Sequence, residues 1–202
     1  MIDEVRLLEL MADLESASVE RTKSVSDIAK FSEAVCAFAN DLVNSKSPGF
    51  LLVGVDDKSG RACGLKVTDQ LLQILAGLGT DGNILPAPAI TTYKIALTDG
   101  SGEVAVVEVK PSDLPPVRYK GLVRIRRGPR KGIANESEER LLAERRVAGA
   151  LTFDATPCAG STIADLALDL FTVTYRPIAI DAEVILGSSL EVSQHEHNSV
   201  LQ

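Results

Sequence analysis

Two groups of side chains in this sequence have the types and spacing to do chemistry. The first is a set of carboxylates, Glu15, Glu20, Asp56 and Asp57. Asp56 and Asp57 close the apolar run FLLVGV, at the carboxyl end of an expected buried strand, where open α/β sheets place ligands. Joined by Glu15 or Glu20, they could hold Mg²⁺ or Mn²⁺ through hard oxygen ligands. Such an ion activates water or stabilises charge on a phosphodiester. The spacing does not impose this arrangement. Glu15 and Glu20 fall on opposite faces of a strand and poorly matched faces of a helix, so the chain must turn between them. The competing reading makes Asp56-Asp57-Lys-Ser-Gly a plain turn and Glu20 a surface residue.

The second group is cationic. Arg118, Lys120, Arg124, Arg126, Arg127, Arg130 and Lys131 occur with no acid among them. Alternation along VRIRRG puts Val123 and Ile125 on one face of a strand and Arg124 and Arg126 on the other. Two guanidiniums so spaced can straddle adjacent phosphates, and Arg127, Arg130 and Lys131 extend the positive surface into the following loop. Binding of this kind ignores sequence and is salt-sensitive, log K falling with a slope of roughly 0.9 per phosphate neutralised on duplex. The competing reading is an edge strand kept from aggregating by its charge.

Other motifs carry less. Gly77, Gly79 and Gly82 satisfy GxGxxG, but they follow an expected helix and run into ILPAP, whereas a dinucleotide site needs a strand before them and a helix after. No GxxxxGK[ST] occurs. His195 and His197 lie near the C-terminus with no further ligand beside them. Cys36, Cys63 and Cys158 are odd in number, widely separated and without a CxxC pair, which argues against a disulfide framework or structural zinc site. Cys36, inside AVCAFA, reads as a small core residue.

The elements that must position these groups emerge from the apolar pattern. The 202 residues are 45% hydrophobic and 24% charged, an ordinary globular composition, and with 4% aromatics the core must be aliphatic. The net charge of −7 opposes polyanion binding on average, but a local patch can override it. No stretch is long enough for a membrane span and the N-terminus lacks a secretory layout, so a cytoplasmic protein is expected.

Asp3 to Leu14 reads as an amphipathic helix with Val5, Leu8 and Met11 on its apolar side, and SVERTKSV as a short polar strand. Ile28, Phe31, Val35, Phe38 and Leu42 form a helical stripe opened by Asp27. FLLVGV is a strand buried on both faces, and Val67 to Leu78 a helix. Ile90–Leu97 and Glu103–Val109 form a hairpin about TDGSG, PSDLPP is a connector, and LVRIRRG the last strand. Asn135 and Glu138 form a capping-box start for a helix through about Val147. Beyond Gly149 comes an irregular linker. Thr162 and Asp165 then open a helix carrying Ile163, Leu166, Leu170 and Val173, interrupted at Pro177, before a further element at IAIDAEVIL. A boundary near residue 150 divides a 1–149 domain from a 150–202 connector or helical extension.

Taken in order, four stretches resemble the Schlafen Alba-like domain: Glu15 and Glu20, then Ala37-Phe38-Ala39-Asn40, then Gly54-Val55-Asp56-Asp57 with Gly60 and Gly64, and finally Arg126-Arg127-Gly128. The resemblance covers roughly residues 10 to 147. It implies an α+β fold, a mixed sheet of about five to six strands with helices packed on it. It also implies nucleic-acid binding, DNA or RNA, within a transcriptional regulator or helicase-related protein. In some members it implies a metal-dependent endoribonuclease, whose catalytic residues would be Glu15, Glu20 and Asp57, with Asp56 the other candidate aspartate and Mg²⁺ or Mn²⁺ the cofactor. Lys23, Arg124, Arg126, Arg127, Arg130 and Lys131 are the expected phosphate contacts. Two departures stand out: Arg21-Thr22 replaces a Phe-Lys pair, shifting the lysine to Lys23, and DLVNSKSPG replaces paired glycines. A third reading is self-association, as a homodimer, through the Met1 to Leu14 helix.

Overall fold

The computed structural model describes residues 1–149 and 171–178. The chain divides into two units, Met1–Ala150 and Leu151–Gln202. The elements expected at 150–170 and 179–202 lie outside the described residues. Phe171–Tyr175 form a π-helical turn followed by α-helical residues to Ile178, and the outcome of the interruption expected at Pro177 lies outside the described residues.

In the first unit α1 (Glu4–Ala12) is capped by Asp3, whose carboxylate accepts from the Arg6 N–H at 2.8 Å. β1 (Val19–Thr22), α2 (Ile28–Asn40) and β2 (Gly49–Val53) form a parallel βαβ crossover, Val19 opposite Phe50 and Thr22 opposite Val53. Next come α3 (Asp69–Gly77) and the short β3 (Ile84–Leu85). The hairpin of β4 (Ile90–Ala96) and β5 (Glu103–Val109) lies antiparallel beside β2. The sheet order is β1-β2-β5-β4.

Alternate residues of β2 and β5 enter two different cores, as their unbroken hydrophobicity requires. Leu51, Val53, Ala105 and Val107 pack with Phe31, Val35 and Phe38 of α2 and Leu71 and Leu75 of α3. Phe50, Leu52, Val104 and Val106 pack with Leu7, Leu10 and Met11 of α1. The buried side of α1 is therefore Leu7-Leu10-Met11; Val5 and Leu8 are exposed, which corrects the face expected from the sequence. β1 is also less polar in position than in composition, since Val19, Arg21 and Thr22 are all buried.

The remaining strands stand apart from this sheet. β6 (Arg118–Tyr119) pairs with β3, and β7 (Arg124–Arg127) pairs with β8 (Arg130–Ile133) in its own two-stranded hairpin. The strand expected last is thus followed by another: Gly128-Pro129 turns the chain, and Arg130 and Lys131, expected in a loop, are strand residues. Val123, Ile125, Ala134 and Leu142 close a third, small core between this hairpin and α4 (Glu136–Gly149). The capping box forms as read: Asn135 N–H donates to Glu138 at 2.8 Å and Glu138 N–H to the Asn135 side chain at 3.0 Å.

Candidate nucleic-acid interface

The β7–β8 hairpin puts cations opposite each other, Arg126 across from Lys131 and Arg127 across from Arg130. Like charges so placed repel, and the arrangement persists because carboxylates from three other elements reach it. Glu20 of β1 bonds Arg126 Nη1 at 2.6 Å and stands 3.4 Å from Lys131 Nζ and 3.8 Å from Lys30 Nζ. Glu33 of α2 lies 3.0 Å from Arg124 Nη2 with one oxygen and 3.8 Å from Lys131 Nζ with the other. Glu138 of α4 takes Arg127 Nε at 2.8 Å and Nη2 at 2.5 Å. That pair pushes the Glu138 carboxyl down from its ordinary range and the Arg127 guanidinium up.

Five hairpin cations face three carboxylates, so a surplus of two positive charges remains. Arg130 is exposed and, among the described residues, without an ion-pair partner. It lies beside Arg127, half exposed, at the hairpin tip.

Arg126 is the exception, and the expectation that it contacts phosphate is corrected. It is 6% exposed. Its Nη2 donates to the carbonyls of Val19 at 3.1 Å and Pro129 at 2.9 Å, and its guanidinium covers the Phe38 ring at 5.2 Å. Strand alternation aims Arg126 away from Ile125, but that side is covered by β1 and the end of α2, so the guanidinium fastens the hairpin to the main sheet. Arg124 and Lys131 are half-buried within their pairs with Glu33 and Glu20.

The hairpin is fastened a second time by Asn40, the last residue of α2 and of AFAN. Its amide nitrogen donates to the carbonyls of Val117 at 2.9 Å and Arg124 at 2.7 Å, and its oxygen accepts from the Val117 N–H at 2.7 Å. At 2% exposure these bonds satisfy a buried group completely on the protein itself. Asn40 was visible in the sequence as part of a motif, but not as a clamp. Glu33 carried no signal of its own, and Glu138 announced its capping role alone.

The expected metal ligands do not converge. Among the described residues no group of three or more His, Cys, Asp or Glu is placed to hold a metal ion. Glu15 is exposed in the loop before β1, and Glu20 faces the hairpin cations. Asp56 accepts from Lys58 N–H at 2.9 Å and Ser59 N–H at 2.7 Å and pairs with Lys23. These contacts hold its carboxyl well below the usual range and raise the Lys23 ammonium, the Lys23–Asp56 bond being the largest cause of both shifts. Asp57 is exposed in the same turn. The donor set therefore does not fit a divalent ion, and Glu15, Glu20, Asp56 and Asp57 act as turn-builders, counter-ions or surface groups. Lys23, expected on phosphate, is committed to Asp56.

The Arg21 that displaced the expected pair has its own task. Buried beside the end of α1, it donates to the carbonyls of Met11 at 3.1 Å, Leu10 at 2.5 Å and Asp13. Gly60 meets the same helix end: at φ +67 a Cβ there would stand 2.2 Å from the Met11 carbonyl oxygen. Cys36 is a core residue as read, donating to the Val117 carbonyl at 3.4 Å, with burial pushing its thiol up to about 11.

A crossover sheet bearing a separate cationic hairpin, clamped by an asparagine and balanced by carboxylates, defines an α+β domain with a cationic edge. The family model described as Schlafen, AlbA_2 matches residues 15–135, and the chain belongs to that family, which supports a nucleic-acid-related role. The crystal structure of the DIP2311 protein from Corynebacterium diphtheriae is similar, with a TM-score of 0.47 and 18% identity over 85% of this chain and 37% of that one. The chain thus spans little more than a third of that protein's length. No curated protein matches the chain. Among the described residues no helix is long and apolar enough to cross a membrane.

Proposed function

We propose that the domain binds nucleic acid, DNA in the first instance, by docking the backbone phosphates on the tip of the β7–β8 hairpin. Arg127 and Arg130 make the contacts, and Lys131 and Lys30 supply flanking charge. The observation that carries this reading is the surplus at the tip, where an unpaired, exposed Arg130 faces Arg127 across a two-residue turn. A cation held against another cation gains most from an incoming anion. The contacts reach phosphate and not base edges, so binding is independent of sequence. In a longer cytoplasmic regulator or helicase-related protein such a domain would hold the nucleic acid while other parts act on it.

Fluorescence anisotropy with a short labelled duplex at several salt concentrations tests this. Dissociation constants on the order of micromolar are expected. The Arg127→Ala, Arg130→Ala double variant should bind at least tenfold more weakly, with a log K against log salt slope shallower by about 1.8, two phosphates' worth. Unchanged affinity and slope would refute the assignment. Replacing Arg126 would not serve, because its loss removes one of the hairpin's two fastenings to the rest of the domain.

A further inference from the structure

Beside the hairpin lies a cavity of about 250 Å³ whose walls are mostly apolar. Phe38, Ala37 and Leu42 supply the apolar surface, Ser18 and Ser47 the hydroxyls, and Arg126 is part of the wall. The far wall is the loop from Asp41 to Gly49, and it is rigidly held. The Asp41 carboxylate accepts from the N–H groups of Ser45 at 3.0 Å and Lys46 at 2.8 Å. From outside, Arg145 donates to the carbonyls of Asp41 at 2.8 Å and Leu42 at 2.6 Å. The loop joins β2 at Gly49, where a Cβ would stand 2.3 Å from the Phe38 ring. Val43, 69% exposed, leaves apolar surface on this loop open to solvent.

We propose that this cavity receives one unstacked base of a single strand whose phosphates lie on the hairpin. The inference rests on the proposed hairpin contact and adds the strand class. Three observations favour a base. The volume suits one ring system and is below the roughly 300 Å³ at which pockets for larger ligands begin. Apolar walls with scattered hydroxyls accept the face of any base, and the Ser18 and Ser47 hydroxyls, bonded to the Ser16 hydroxyl and the Ser45 carbonyl, each keep a lone pair that can accept at its edge. Finally, Arg126 belongs to both places. Its Nη2 bonds the Pro129 carbonyl in the hairpin turn while the same residue lines the cavity. One arginine therefore connects the hairpin turn with the cavity. A base in a duplex cannot reach the cavity without leaving its stack, so the cavity favours single strands.

The test uses the full chain, a 12-nucleotide single strand carrying one 2-aminopurine, and the matching duplex. The wild type should bind the single strand more tightly, with a change in 2-aminopurine emission on binding. Ala17→Phe, at an exposed position on the cavity rim, fills the space. It should weaken single-strand binding about tenfold and abolish the emission change, leaving duplex binding, which also reports folding, as it was. Arg130→Ala should weaken both strands. If Ala17→Phe binds the single strand like the wild type with the same emission change, the base site is wrong and the hairpin contact stands. If the wild type binds neither strand, both readings fall.

Discussion

Glu33 places its two oxygens on Arg124 and Lys131, as two phosphate oxygens would stand in the proposed contact. Replacing it removes an internal competitor for the same cations. Glu33→Gln should raise duplex affinity about threefold or more and steepen its salt dependence. A loss of affinity in that titration would show that Glu33 holds the hairpin's shape instead. Asn40 belongs to the other kind, a buried residue whose amide ties the hairpin to α2. Asn40→Ala leaves the Val117 N–H and the Arg124 carbonyl without their partner in a buried setting, and the Val117 carbonyl with the Cys36 thiol alone. Its cost should be about 3 kcal/mol in urea unfolding. A cost under about 1 kcal/mol would mean that water replaces the amide and that the clamp is dispensable.

Among elements, the hairpin and α4 depend on each other through Glu138, which caps the helix and pairs with Arg127. Because the fold lowers the Glu138 pKa, its charged form is favoured in the native state. Its contribution is complete above the ordinary glutamate value of about 4.3 and disappears as pH falls through the lower native value. Glu138→Gln keeps much of the cap and loses the ion pair. It should cost about 1 kcal/mol at pH 7 and less at pH 3, below the ordinary glutamate value. An equal gap at both pH values would show that charge has no part in it. The variant also frees Arg127, so its affinity for duplex should rise, as in Glu33→Gln.

For the whole molecule, charge distribution outweighs net charge. The chain carries −7, yet the hairpin keeps a positive surplus because its carboxylates are fewer than its cations. The sheet, the three cores and the hairpin all lie within Met1–Ala150. We propose on that ground that residues 1–149 form the binding module. A chain ending at Gly149 should keep a cooperative thermal transition and bind duplex within about twofold of the full chain. Loss of the transition would show that folding needs the second unit.

The sequence determined those features that depend on local pattern. The stripe from Phe31 to Phe38, the double-sided burial of FLLVGV, the β4–β5 hairpin and the Asn135–Glu138 cap follow from periodicity and spacing, which are properties of neighbours in the chain. The ordered motifs likewise carried the family. What the sequence left open was which charges meet. Glu20 and Arg126, or Glu33 and Arg124, are separated by most of the domain, and only the docking of β7 and β8 against β1 and α2 brings them within bonding distance. For that reason Glu20 read as a metal ligand and Arg126 as a phosphate contact, although each neutralises the other. The face of α1 was lost similarly, since Val5-Leu8 and Leu7-Leu10-Met11 are both apolar stripes and the sheet beneath chooses between them.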